Sequence, residues 1–328
     1  MKQWFILAAA LSFAALAAAC IGMGEGDARP GPETPSPILT SITPEPATSS
    51  GPARPGRTSA LEPNETVTFC EPVEGVELLM DIYYPVGHSA EDEAPAIVYV
   101  HGGGWTTGTR TAGEGIRYFR GLLESGFVIF AVDYRLSPEY QFPAHIQDVQ
   151  CAVRHIRANA GSYGIDSTRI GAIGGSAGGH LVNLLGTAED GDFEMVGGYE
   201  DYSSDVSVVV SLFGASDFSD PNMATHNEGH AEVFGTADPE SDELQAASPV
   251  NYVSSDDATF LILHGEDDPV VPISQSQIFS AALEAAGVDV TFVTVENAGH
   301  GFSPTDGVPS PSATELIVMV TEFFGAEL

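Results

Sequence analysis

Read for the spacing of its apolar residues, the chain shows short, dense hydrophobic runs at residues 96–100, 127–132, 169–173, 206–213, 259–263 and 288–295, several of them rich in Val and Ile. Runs this short and this continuous suit strands buried on both faces of a sheet. Between them lie longer stretches with helical spacing, at 144–160, 177–185, 273–286 and 312–324. Strands alternating with helices predict an α/β fold, a mostly parallel sheet with helices on both faces. An earlier segment, 76–84, has strand composition and stops at Pro85, which suits an antiparallel strand at the sheet edge. Two acidic, modestly apolar inserts, 188–205 and 217–250, interrupt the alternation and read as a small lid, with Met223, Phe234 and Tyr252 as candidate pocket walls.

The N-terminal residues fall outside this pattern. Residues 1–20 have the form of a targeting segment: Lys2, an apolar run over 4–16, then Ala17, Ala18 and Ala19 before Cys20. This resembles a bacterial lipoprotein signal, which implies that Cys20 is lipidated, although Leu16 stands one place further from the cysteine than is usual. A cleaved signal, or an uncleaved anchor reaching Met23, is the alternative. Each exports the rest of the chain, to the outer side of the cell envelope or beyond it. Residues 21–64, rich in Pro, Ser and Thr, lack the apolar surface to offset ordering and read as a disordered tether. That leaves 65–328 as the folded domain.

Composition narrows the partners. The 328-residue chain is 43% hydrophobic, enough for a large core, but its formal net charge is −35 and Lys2 is its only lysine. Such a field repels nucleic acid and anionic lipid, so membrane contact is expected only through the N-terminal lipid anchor. Beyond the leader, Cys70 and Cys151 are the only cysteines. Export and the even count favour a bridge between an early strand and the helix after Phe142-Pro143, the alternative being two buried thiols.

The chemistry gathers where the predicted strands end. The run ending at Ile173 breaks into Gly174-Gly175-Ser176-Ala177-Gly178, a G-x-S-x-G elbow that lifts a serine hydroxyl above a strand-to-helix turn. The run ending at Val100 leads into His101-Gly102-Gly103-Gly104-Trp105, and the run ending at Leu263 into His264-Gly265-Glu266-Asp267-Asp268. The last leads to His300. Ser, Asp, His in that order is the sequence of a hydrolytic triad on this architecture.

These motifs, with Asp133-Tyr134-Arg135-Leu136-Ser137-Pro138-Glu139, Phe142-Pro143-Ala144 and Gly299-His300-Gly301-Phe302, give residues 66–326 a resemblance to α/β-hydrolase-fold esterases of the hormone-sensitive-lipase and feruloyl-esterase-like group. The resemblance implies a small-molecule ester substrate, no cofactor, Ser176 as nucleophile, His300 as base and Asp268 as its acid, with Asp267 as the fallback. It places the oxyanion donors at Gly103, Gly104 and Ala177. Short-chain, aromatic or acetyl esters are expected. Amide hydrolysis of the kynurenine-formamidase or prolyl-oligopeptidase kind, and a non-catalytic binding role, stay open. The oligomeric state is not legible. Asp133 and Arg135 read as a structural pair beneath the site, and His101, His180 and His264 as hydrogen-bonding residues. His226-x-Glu228-x-His230 has metal-like spacing, but Gly229 argues against the helix it needs, so no metal is expected.

Overall fold

The computed structural model describes residues 61–224 and 229–328. Within them the apolar runs form strands β1 (Glu65–Val73), β2 (Val76–Tyr83), β3 (Ala94–Val100), β4 (Val128–Val132), β5 (Ile165–Gly175), β6 (Val208–Leu212), β7 (Thr259–Gly265) and β8 (Val290–Val295). They lie in the order β1-β2-β4-β3-β5-β6-β7-β8. β2 pairs antiparallel with β1 and with β4, and every pairing from β4 onward is parallel. The expectation that 76–84 forms the sheet edge is therefore corrected. β1 takes the edge, and its sequence ETVTFCEPV is too polar and too exposed to show as an apolar run.

Helices α1 (Phe119–Glu124), α2 (Ala144–Ala158), α3 (Ala160–Tyr163), α4 (Ala177–Thr187), α5 (Pro221–Ala224), α6 (His230–Phe234), α7 (Asp242–Ala246), α8 (Ser274–Ala286) and α9 (Ala313–Glu327) complete the layers. The stretch read as one helix over 144–160 breaks at Asn159, which leaves helical geometry at φ −107°. Alternate residues of the central strands feed two cores. Ala96, Val98, Val100, Phe130 and Val132 pack with Ile146 and Val149 of α2, Leu181 and Leu184 of α4, and Phe279 and Leu283 of α8. Ile97, Tyr99, Ile129 and Ala131 pack on the other face with Phe119 and Leu122 of α1 and with Val320 and Phe324 of α9. Each large apolar side chain so buried contributes about 1.5–3 kcal/mol.

Cys70 in β1 and Cys151 in α2 are joined as a disulfide, with their Cα atoms 6.4 Å apart. The 188–205 insert, which has neither helix nor strand, lays Gly197 on it. A Cβ there would sit 1.9 Å from Cys70 Sγ, so no larger residue fits. The 217–250 insert carries α5, α6 and α7. Cys20 and the targeting segment lie outside the described residues, as does the tether up to residue 60. Asn64, counted with the tether, already belongs to the fold: its amide donates to Ile82 O at 2.8 Å and its Oδ1 accepts from Tyr84 N at 2.8 Å.

What this architecture supplies is one active edge. Val100 lies opposite both Val132 and Gly174, Gly175 opposite Leu212, and Leu212 opposite Leu263. The parallel strands end in register, so the loops that follow them open at the same side of the sheet.

Candidate active site

Ser176 stands between β5 and α4 at φ 56°, ψ −119°, a conformation costly for any residue but glycine. Its backbone is held from both sides: Ser176 N donates to Leu212 O at 2.9 Å, and Ser176 O accepts from His180 N at 2.9 Å. The flanking glycines make the turn sterically possible. A Cβ at Gly174 would lie 2.3 Å from Gly178 O, and one at Gly178 would lie 2.2 Å from Val100 O. Strand, elbow and helix are in backbone contact there.

The structure brings the other two predicted members to this serine. His300 Nε2 is 3.0 Å from Ser176 Oγ, and His300 Nδ1 is 2.7 Å from Asp268 Oδ2. An ionised carboxylate only accepts, so Nδ1 carries the proton and Nε2 is left to accept from the serine hydroxyl. Asp267 turns away, its Oδ2 accepting from Thr305 Oγ1 at 2.6 Å. The Asp268 side chain is fully buried. Burial pushes its carboxyl up, but hydrogen bonds from His264 and His300, the charge of His300 and the Val270 amide outweigh that and hold it well below the ordinary carboxylate range. The His300 ring packs edge-on against Phe213, with centroids 4.7 Å apart. Nothing in the sequence marks Phe213, a strand-terminal aromatic like many others.

A cavity of about 320 Å³ opens beside Ser176, lined by Gly104, Trp105, Ala177, Met223, Val233 and Val271, with Thr106, His230 and Glu232 as its polar contribution. Gly104 and Ala177 thus face it together with the serine. Gly103, at φ +120°, closes the turn before them, its carbonyl accepting from the amides of Thr106 and Thr107. Among the described residues the amides of Gly103, Gly104 and Ala177 donate no hydrogen bond, which leaves them available to a ligand oxygen. Of the expected pocket walls only Met223 lines the cavity. Phe234 packs edge-on against Trp105 at 5.3 Å, and Tyr252 packs against Phe193 while its hydroxyl donates to Ala246 O. Both side chains are engaged with neighbouring rings, and the 217–250 insert covers the site as a cap through its other residues.

Three buried histidines brace the site. Trp105 Nε1 donates to His180 Nδ1 at 3.1 Å, which fixes the other ring nitrogen as donor to Ala247 O at 2.7 Å. Burial drives His180 down to about 4, so it stays neutral and ties the nucleophile helix to the glycine loop and the cap. His264 Nε2 donates to Val271 O at 2.9 Å and lies 3.5 Å from Asp268 Oδ2. His101 stacks on Tyr134, at 4.2 Å between centroids, and is lowered chiefly by burial.

The expected pairing of Asp133 with Arg135 is not made. Arg135 goes to Asp148, whose side chain is fully buried and demands a cation, with Nη2 to Oδ1 at 2.8 Å. Asp133 is taken by Arg110, an arginine isolated in a Gly/Thr-rich loop that no motif marks. His226 and Glu228 lie outside the described residues. His230 is buried and its ring packs on Phe218 at 5.4 Å.

Comparison with known proteins agrees with this geometry. Esterase LipQ of Mycobacterium tuberculosis is 33% identical over 256 residues, which is 76% of this chain and 60% of LipQ, so the chain spans less than two thirds of that relative's length. A truncated carbohydrate esterase from gut microbiota superposes with a TM-score of 0.68 at 30% identity, covering 80% of this chain and 96% of that one. A propionate-bound esterase of Thermogutta terrifontis superposes with a TM-score of 0.67 at 26% identity, covering 80% and 93%. The BD-FAE family profile matches residues 80–283, well over half of the chain, from β2 through the nucleophile elbow and the acid loop. On that match and on the order of its strands, this α/β-hydrolase-fold protein belongs to the BD-FAE family.

Proposed function

We propose that the protein is a serine carboxylic-ester hydrolase that works through an acyl-enzyme. The observation that carries this is the unbroken relay from Ser176 Oγ through His300 to Asp268, at 3.0 and 2.7 Å, opening on a cavity faced by unpaired backbone amides. As the Ser176 oxygen bonds to the ester carbonyl carbon, its proton passes to His300 Nε2. Asp268 stabilises the imidazolium through Nδ1–H. The negative charge on the carbonyl oxygen falls to the amides of Gly103, Gly104 and Ala177. Collapse breaks the bond to the alcohol oxygen, which takes the proton from His300 and leaves Ser176 acylated. Water then gives a proton to His300, attacks the acyl carbon and releases the acid, and the proton returns to Ser176.

The cavity admits a small acyl group better than a long chain. Its walls, Trp105, Met223, Val233 and Val271, are apolar and its volume is about 320 Å³. The propionate bound by the Thermogutta esterase, and the carbohydrate esters that the gut enzyme's name implies, support short-chain or acetyl substrates. An exported enzyme accords with the Cys70–Cys151 disulfide and with the leader ending at Cys20. Cell fractionation with and without Cys20→Ala tests that: envelope-bound enzyme should become soluble.

The activity test is hydrolysis of p-nitrophenyl esters from acetate to palmitate, beside formanilide. Rates should peak at two to four carbons. Ser176→Ala should remove turnover by a factor on the order of a millionfold while leaving the circular dichroism unchanged. Retained turnover in that variant, or a formanilide preference, would count against the ester reading.

A further inference from the structure

The loop that carries the glycines enters the left-handed region at four positions, at one of which the residue is not glycine. Gly103 (φ 120°), Gly104 (60°), Trp105 (59°) and Gly108 (109°) all lie at positive φ, and Trp105 bears the cost of a bulky side chain there. A tryptophan in such a conformation persists only where the surroundings over-determine it. Apart from the bond from Trp105 to His180, the restraints here come from one short segment following β4. Tyr134 Oη donates to His101 O at 3.0 Å, Ser137 N donates to Trp105 O at 2.9 Å, and Asp133 holds the far end at Arg110.

The Arg110 contact is the most elaborate of the three. Asp133 Oδ1 accepts from the Arg110 backbone amide at 2.8 Å and Oδ2 from Nη1 at 2.5 Å, so one carboxylate grips both main chain and side chain. Arg110 Nε lies 2.9 Å from Oδ1 of Asp81, a carboxylate almost fully buried in β2 that also accepts from Thr66 Oγ1 at 2.6 Å. Asp133 itself is fixed by its amide, which donates to Leu79 O at 3.0 Å. Asp133, just past β4, is thus hydrogen-bonded to both the main chain and the guanidinium of Arg110, while Asp81 of β2 is held to Nε as an ion pair without hydrogen-bond geometry. No part of this cluster lines the cavity.

We infer that Arg110 is a positioning residue for the oxyanion donors: its clamp on Asp133 and Asp81 holds the glycine loop, with Trp105 at its strained φ, in the form that faces Ser176. The inference rests on the reading of Gly103 and Gly104 as those donors. Donors on a rigid loop need no reorganisation as charge develops, whereas a displacement of about 1 Å costs roughly a hundredfold in rate.

The test uses Arg110→Gln, Arg110→Lys and Asp133→Asn in the full-length enzyme. Each is assayed for kcat and KM on a short-chain ester and for the inhibition constant of a boronic acid, whose tetrahedral adduct on Ser176 places an oxygen among the donors. Arg110→Gln should lower kcat by about 10- to 100-fold with KM within about twofold, and weaken boronate binding by the same factor. Arg110→Lys, which keeps the charge without the planar fork, should recover part of both. Arg110→Gln/Asp133→Asn should cost no more than the worse single variant, because both remove the Arg110–Asp133 ion pair. A folded Arg110→Gln enzyme with wild-type kcat and boronate affinity overturns the inference, and so does a loss confined to KM or to melting temperature. If Arg110→Gln does not fold, the other two variants are judged by the same criteria. Failure of all three to fold makes the cluster purely structural and overturns it too. Wild-type hydrolysis, measured alongside, separately tests the ester-hydrolase reading.

Discussion

At the scale of single residues, the site is set by which atoms are denied alternatives. Asp268 is the clearest case: Oδ1 is occupied by the amides of Val270 and Val271 at 2.8 and 3.0 Å, which leaves Oδ2 for His300. Asp268→Asn keeps that shape but offers an amide where the imidazole needs an acceptor, so kcat should fall by about 10³- to 10⁴-fold. The same carboxyl gives a pH signature. Its folded-state pKa is depressed, so the fold favours the charged form, and the resulting stability is present above the ordinary carboxylate range and is lost as pH falls through the depressed value. The melting-temperature gap between wild type and Asp268→Asn should therefore be full at pH 7 and narrow as pH drops from about 4 toward 2. A gap that does not change with pH would mean that the variant acts through packing alone. Gly178 makes a purely steric case. A methyl there would meet Val100 O at 2.2 Å and His101 O at 2.6 Å, both unyielding backbone. Gly178→Ala should cost at least about 2 kcal/mol in denaturant unfolding and loosen the elbow, whereas a cost below about 0.5 kcal/mol would show that the strand ends can shift.

Elements differ in how openly the sequence shows them. β3 through β8 are legible because most are buried on both faces and read as unbroken apolar runs, and the elbow is legible because glycine spacing is itself the steric requirement. β1 is hidden for the opposite reason, being half exposed at the edge. α1, with six residues, and the cap helices, with four or five, are too short to show a period of 3.6. Motifs after the strands point to Ser176, Asp268 and His300, which the fold brings together. No motif points to their supports, because Phe213, Arg110 and Gln275 act through tertiary contacts. Gln275, for instance, is fully buried, and its Oε1 accepts from the amides of Ser216 and Asp217 at 2.9 Å each, tying α8 to the start of the cap. The edge strand has a tie of its own, a bridge across 81 positions of sequence that joins it to α2. Closing a loop that long should stabilise the fold by about 4 kcal/mol, so Cys70→Ser/Cys151→Ser should unfold at clearly lower denaturant, and peptide mapping of unreduced wild type should find the two cysteines linked. Equal midpoints would remove the bridge from any account of stability.

Charge is the property that belongs to the molecule as a whole. Residues 1–60 hold four basic and four acidic side chains, so the entire −35 falls on residues 61–328, which have seven arginines and no lysine. Most of those arginines are spent internally. Arg110 and Arg135 sit in the ion pairs described above, Arg154 donates to Val196 O, and Arg157 staples the carbonyls of Ser167, Ser203 and Asp205. Little cationic charge remains to offset the acidic surface, and the compact state must carry a self-repulsion that unfolding relieves. Added salt shortens the Debye length from about 30 Å at 0.01 M to about 3 Å at 1 M and should weaken that repulsion far more than it weakens the buried pairs of Arg110 and Arg135. The melting temperature should therefore climb by several degrees between low salt and about 0.5 M, equally for NaCl and KCl because screening depends on ionic strength. For a domain of this size each kcal/mol of relief is worth about 2–4 °C. Arg120→Glu, at an exposed site away from the cavity, should steepen the climb by adding to the same field. A melting temperature that falls with salt would show instead that surface ion pairs outweigh the repulsion, and a rise specific to one cation would point to bound ions rather than screening.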